Sequence, residues 1–185
     1  MPNGQGINLF HDLPMGPQPP KKLWAVIEIA KEGRNKYEYD RENSLFKLDR
    51  VLYGAVHYPT DYGFVPQTWS QKEKDPLDVM VICTNSSFTG CVVEVRPVGL
   101  FKMIDRGIAD HKVIAIATKD PRLDHIKKVS DLGPHFKKEV SNFWENYAEL
   151  QPTKTIKILG WGGVKETEAK IISEHQVYKK VFPDQ

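Results

Sequence analysis

The residues of this chain whose types and spacing best suit chemistry are Glu73-Lys74-Asp75-Pro76-Leu77-Asp78, three carboxylates in six residues around a rigid proline. Carboxylates this close repel one another unless a cation sits between them. Hard divalent ions such as Mg²⁺ take oxygen ligands at about 2.0–2.1 Å, so the stretch is a candidate magnesium site; a solvated acidic turn opening a strand fits the same residues. Pro76 disfavours helix at Asp75, and Val79-Met80-Val81-Ile82 then reads as a buried strand, which places the acids at a strand entrance. Along an extended segment residues 73 and 75 point the same way, and the proline turn brings Asp78 back towards them. Asp105 and Asp110 flank Gly107 at another strand edge, a pattern met more often in a hairpin loop than in a metal site.

These acids need a scaffold. Leu23 to Ile29 is a β-rich run with Glu28 as its single charge. Asn35–Asp40 alternates, with Tyr37 and Tyr39 on one face and Lys36, Glu38 and Asp40 on the other, and turns through Glu42-Asn43-Ser44 into Leu45–Leu48 as a hairpin. Arg50 to Tyr53 continues the β pattern. His57–Pro66 then breaks it with two prolines and a glycine among aromatics, a rigid loop suited either to ligand contact or to capping the core. Further strands are predicted at about 79–84, 91–98, 98–104 and 112–118. From Pro134 the period changes: Phe136, Val140, Phe143, Tyr147 and Leu150 predict an amphipathic helix over about 134–150. A strand over 155–159 ends at Gly160-Trp161-Gly162-Gly163, and a second helix over about 165–180 is expected to face Ala169, Ile172 and Gln176 or Val177 inward. Many short strands followed by two helices predict an α+β, mainly β domain built on a small, mostly antiparallel barrel or twisted sheet.

The chain has 185 residues, the length of one domain with a substantial core. Residues 1–22 carry five prolines and three glycines and are expected to run as an extended arm ahead of a single domain over 23–185. No apolar run approaches the ~20 residues needed to cross a bilayer, and no apolar stretch follows a basic start, so a cytoplasmic protein without membrane contact is expected. Cys83 and Cys91 lack zinc or redox spacing and are expected to be buried thiols in a reducing compartment. The 26 basic and 24 acidic residues are spread along the chain with no basic block, so charge does not indicate nucleic acid.

In the order and spacing of its motifs the sequence resembles the family I soluble inorganic pyrophosphatases of the short prokaryotic type. Asp75-Pro76-Leu77-Asp78-Val79 resembles the family pattern D-x-D-P-x-D followed by an apolar residue. Arg50, Tyr58-Pro59, Tyr62-Gly63, Arg96-Pro97-Val98-Gly99, Asp105 through Asp110 to Lys112, and Asp124-His125-Ile126-Lys127 keep it company, and the match covers nearly the whole chain. The resemblance implies an OB-like five-stranded β-barrel with two flanking α-helices, Mg²⁺-dependent hydrolysis of pyrophosphate to two phosphates with several ions per site (Mn²⁺, Zn²⁺ or Co²⁺ as substitutes), and a homo-oligomer, commonly a hexamer. It implies that Asp75 is the general base. Glu28, Glu73, Asp78, Asp105 and Asp110 would hold metals, and Lys36, Arg50, Lys112 and Tyr147 would grip phosphate oxygens. Glu38, Tyr58 and Tyr62 would line the same cavity.

Three positions depart from the family pattern. Glu73 stands where the first acid is normally Asp, Lys74 where a small residue such as Gly is usual, and Ala148 where a Lys generally follows the tyrosine; Lys154 is a nearby cation that would compensate in part. These departures predict an active enzyme with weakened metal or phosphate affinity, with an inactive homologue as one alternative. A second alternative, an OB-like module for single-stranded nucleic acid, draws on aromatic and basic strand residues but expects a basic groove where the chain places acids.

Overall fold

The computed structural model describes residues 6–151 and 155–185; Lys154 lies outside them. The β-branched run Leu23–Ile29 forms β1, and Asn35–Asp40 with Leu45–Val51 forms the hairpin β2–β3, a separate two-stranded sheet. Then follow β4 (Asp61–Phe64), β5 (Asp78–Ile82), β6 (Val92–Asp105), β7 (Ile108–Ala109), β8 (Lys112–Ala117), α1 (Pro134–Tyr147), β9 (Ile156–Gly162) and α2 (Val164–Val181). Pairing runs β1-β4-β5-β8-β6, and β6 pairs back onto β1, so the path closes on itself; β7 and β9 extend it from β6. Only β5 and β8 are parallel among these pairs.

Two stretches differ from the sequence expectation for a reason visible in their glycines. The strands expected at 91–98 and 98–104 are one 14-residue strand whose register shifts between Pro97 and Gly99. Proline supplies no ladder donor, and a Cβ on Gly99 would lie 1.9 Å from Val129 Cγ2, so the register shift falls between a residue without an N–H and one whose missing side chain lets Val129 approach. β6 thereby changes partners along its length, from β1 to β8 to β9. The aromatic stretch expected to be a loop contains β4, because Gly63 lets it press against β1; a Cβ there would sit 1.8 Å from the Val26 carbonyl oxygen.

Both faces of the sheet are covered, which is why β5 and β8 read as unbroken apolar runs. Met80, Ile114 and Ile116 pack with Phe143, Trp144 and Tyr147 of α1, while Val79, Val81, Val113 and Ala115 share a cluster with Ile171 of α2. A third cluster gathers Phe10, Trp69, Tyr178 and Phe182, so residues ahead of β1 contribute to the interior. Helix α1 stops at Tyr147, leaving Leu150 exposed rather than on the apolar stripe. Helix α2 turns a largely different face inward from the one expected: Thr167, Ile171, Glu174 and Tyr178 are buried and Ala169, Ile172 and Gln176 are exposed, while Val177 does pack inward, half-buried against the cluster of Phe10, Trp69 and Tyr178. Two of these polar side chains are paired along the helix itself: Thr167 Oγ1 donates to the Gly163 carbonyl, and Lys170 pairs with Glu174 Oε1, while Glu174 Oε2 is buried with no hydrogen-bond partner among the described residues. Apolar residue type alone therefore misplaced the face. Cys83 and Cys91 are free thiols, half-buried rather than buried.

Candidate active site

One end of the sheet carries a cavity of about 400 Å³. Every residue singled out for site chemistry in the sequence lines it: Glu28, Lys36, Glu38, Arg50, Tyr58, Tyr62, Glu73, Asp75, Asp78, Asp105, Asp110, Lys112 and Tyr147. They arrive from β1, the β2–β3 hairpin, β4 and the segment before it, the 73–78 turn, the β6–β7 hairpin, the start of β8 and the end of α1. Glu28 reaches the cavity at a register shift in β1 between Ile27 and Ile29. A bulge turns a side chain that strict alternation would direct elsewhere.

The acids divide into groups. One oxygen from each of Glu73, Asp78 and Asp110 lies within 4.8 Å of the others. Glu28 and Asp105 line the cavity outside this trio. Asp75 also stands apart, with Arg41 Nη1 donating to its Oδ1. The expectation that residues 73 and 75 point the same way fails because the segment is not extended: Lys74 has φ +61° and its N–H donates to the Ser70 carbonyl, a tight turn that separates the two carboxylates. Left-handed backbone explains the preference for a small residue such as Gly there, since a side chain is strained in that region.

Cations line the same cavity. Lys36 pairs with Glu38 and lies 3.5 Å from Asp49, and Arg50 Nη2 donates to the Tyr147 hydroxyl at 2.9 Å. Arg50 Nε is buried with no hydrogen-bond partner among the described residues. Lys112 is 2 % exposed, pairs with Asp78 and Asp110, and lies 5.3 Å from the Trp144 ring centroid. Lys112 is thus set among the acids. Ala148 is buried at the C-cap of α1.

Burial raises Glu28 to about 8, opposed by the Tyr39 N–H it accepts at 2.7 Å. Burial, then the Asp110 carboxyl beside it, raises Glu73 to about 8. Loss of water in the cavity and the Asp78 charge lift Asp75 to about 6 against the pull of Arg41, although 58 % of its side chain is exposed. A concave wall accounts for both, because the carboxylate meets solvent on one side and faces acids on the other. Burial would lower the Lys112 ammonium, yet Asp110 and Asp78 outweigh it and the group is held charged. Burial keeps Tyr58 and Tyr62 protonated, as hydroxyl donors.

Seven carboxylates and five Lys or Arg side chains line the cavity. The excess is negative, which argues against a basic groove for nucleic acid and leaves a demand for cations. An all-oxygen trio of converging carboxylates meets that demand in the form hard divalent ions take. Sequence reasoning missed Arg41, Arg106 and Trp144 as lining residues. Arg41 opens the β2–β3 turn among other charges, where nothing local separates a cavity residue from a solvated one.

Comparison with known proteins agrees with this geometry. The family described as inorganic pyrophosphatase matches residues 25–179. The inorganic pyrophosphatase of Haloferax volcanii is 43 % identical over 176 residues, covering 95 % of this chain and 99 % of that protein. That of Nostoc is 44 % identical over 170 residues, covering 91 % and 99 %. The crystal structure of inorganic pyrophosphatase from Thermus thermophilus superposes with a TM-score of 0.90 at 41 % identity, covering 94 % of this chain and 99 % of that one. With a family match over most of its length and relatives of this identity along nearly all of it, the chain belongs to the inorganic pyrophosphatase family, a family of hydrolases.

Proposed function

We propose that the protein hydrolyses inorganic pyrophosphate to two orthophosphates in this cavity, with Mg²⁺ as its metal and Mn²⁺, Zn²⁺ or Co²⁺ as substitutes. The observation that carries the reading is the carboxylate trio Glu73, Asp78 and Asp110 in one cavity with the Lys36, Arg50 and Tyr147 wall. Divalent ions there would offset the substrate's charge and lower the pKa of water. Asp75 accepts a proton from the attacking water, whose oxygen bonds to one phosphorus as the bridging P–O bond breaks and the second phosphate leaves with the bridging oxygen. Lys36 and Arg50 hold phosphate oxygens, with Glu38 and Tyr147 orienting them. The Tyr58 and Tyr62 hydroxyls face the cavity as donors, and Lys112 keeps Asp78 and Asp110 aligned. Glu28 and Asp105 complete the acidic rim.

The same reading takes the closed strand path as an OB-like five-stranded barrel flanked by α1 and α2, and the working form as a cytoplasmic homo-oligomer, a hexamer. It keeps 1–22 as an arm ahead of the domain at 23–185; residues 1–5 lie outside the described residues, and the rest packs onto the domain through Phe10 and Met15. No helix among the described residues is long and apolar enough to cross a membrane. Phosphate release from pyrophosphate across a magnesium titration, with an EDTA blank and Asp75→Asn, tests the chemistry. Metal-dependent release that collapses in the variant is expected; a folded wild type inert with all four metals overturns it. Sedimentation of the full chain and of one lacking residues 1–22 tests assembly and the arm together.

A further inference from the structure

Among the described residues, the one side chain hydrogen-bonded to Asp75 is Arg41. Its second terminal nitrogen lies 3.4 Å from the Lys74 carbonyl oxygen, so the guanidinium holds the turn by both side chain and backbone. The turn is closed on itself by Ser70 N–H to the Asp75 carbonyl at 2.8 Å and by Lys74 N–H to the Ser70 carbonyl at 2.8 Å. Arg41 is itself seated. Its Cζ lies 5.0 Å from the Trp69 ring centroid and 5.6 Å from that of Phe10, and its own carbonyl accepts from Asn8 Nδ2 at 2.6 Å. Phe10 and Trp69 are buried and pack against the half-buried Phe182, so the seat belongs to the packed interior. A planar guanidinium can stack on rings and still present two donors to the turn; an ammonium cannot.

From this geometry we propose that Arg41 is a positioning residue for Asp75, and that the segment around Asn8 and Phe10 is scaffolding of the active site through it. The inference rests on Asp75 being the base. Fixing that carboxylate matters because a displacement of about 1 Å can cost about a hundredfold in rate.

Steady-state kinetics on pyrophosphate with Mg²⁺ decide it, with Arg41→Ala, Arg41→Met, Arg41→Lys, Trp69→Leu, Trp69→Phe and Asp75→Asn compared at matched folding by thermal unfolding. Arg41→Ala and Arg41→Met should lower kcat about tenfold or more with KM changed less than about threefold. Arg41→Lys should recover only part. Trp69→Leu should lower kcat in the same sense, and Arg41→Ala combined with Trp69→Leu should lose no more than Arg41→Ala alone, since both act through one seat. Should those variants fail to fold, Arg41→Lys and Trp69→Phe carry the same comparison. Wild-type kcat in the Arg41 variants, a rise in KM alone, or losses that multiply in the double variant would overturn the proposal while Asp75→Asn stays dead. Full activity in Asp75→Asn, or an inert wild type, would instead remove the base reading beneath it.

Discussion

Two sets of carboxylates in this protein are built in opposite ways. Away from the cavity, at the start of β4 and in the connecting segments, Asp61 accepts from Lys31 N–H at 2.7 Å and from Ser87 N–H and Oγ at 2.9 and 2.8 Å. Asp120 accepts Thr84 N–H at 2.7 Å and Arg122 N–H at 3.2 Å, and Asp131 accepts the N–H groups of Lys127 and Lys128. Hydrogen bonds from Thr84 hold Asp120 below its ordinary value, and that from Lys127 does the same for Asp131. In the cavity, Glu28 has one backbone donor, and Glu73 and Asp75 face other carboxylates and titrate high. Backbone donors make the first set part of the fold. The second set is held in an arrangement that costs stability in the metal-free protein and has its use only when cations and a polyanion enter.

The largest effects should separate the sets by readout. Asp75→Asn should lower phosphate release by about 10²–10⁴-fold with the thermal midpoint unchanged or raised. Asp61→Ala, which strands buried donors, should cost about 3 kcal/mol or more in denaturant unfolding while the remaining folded fraction keeps its kcat. Loss of activity without loss of stability in Asp61→Ala would break the distinction.

Metal should reverse the strain on the cavity set alone. Magnesium at about a hundredfold over its Kd should stabilise the chelated protein by roughly 2.7 kcal/mol in thermal unfolding, and Asp78→Asn should lose most of that gain. A wild-type midpoint indifferent to Mg²⁺ would count against the trio as its site.

The pH dependence of the chelated protein should show the sets as two limbs. Glu28 and Glu73 have folded values near 8 against an ordinary 4.5, so the folded state holds more protons between those values. Stability should therefore fall as pH rises through that window, by on the order of a few kcal/mol, and Glu28→Gln should flatten the decline. Asp120 and Asp131, depressed below 3.8, contribute stability that is present above that pH and is lost as pH falls through their folded values. Midpoints from pH 3 to 9 test both signs.

The smallest effects concern the departures from the family pattern. Lys74→Gly should relieve left-handed backbone and stabilise by about 1 kcal/mol in denaturant unfolding. Glu73→Asp and Ala148→Lys should each raise kcat/KM, the second less, because Ala148 is buried where a lysine must bend outward to reach phosphate. No gain from either, alone or combined, would count against the reading that these departures weaken metal or phosphate affinity.

Much of this protein was legible in the sequence because the information is local. β-rich apolar runs gave β1 and β8, alternation gave the β2–β3 hairpin, period-3.6 spacing gave α1, and the acids around Pro76 marked the cavity. Motif order tied those acids to Lys36, Arg50 and Tyr147, far away along the chain. Other motif residues belong to the frame: Arg96 Nη1 donates to the Ile126 carbonyl at 2.6 Å, and Ile126 is buried. What needed three dimensions was every feature set by a partner distant in sequence. The bend of β6 at Gly99 depends on Val129, and the strand at Gly63 on Val26. The separation of Asp75 from Glu73 depends on a left-handed turn, and the importance of Arg41 on two aromatic rings and a carboxylate that no spacing rule brings to it. Residue types determine which chemistry is available; only close packing decides which of those residues face one another.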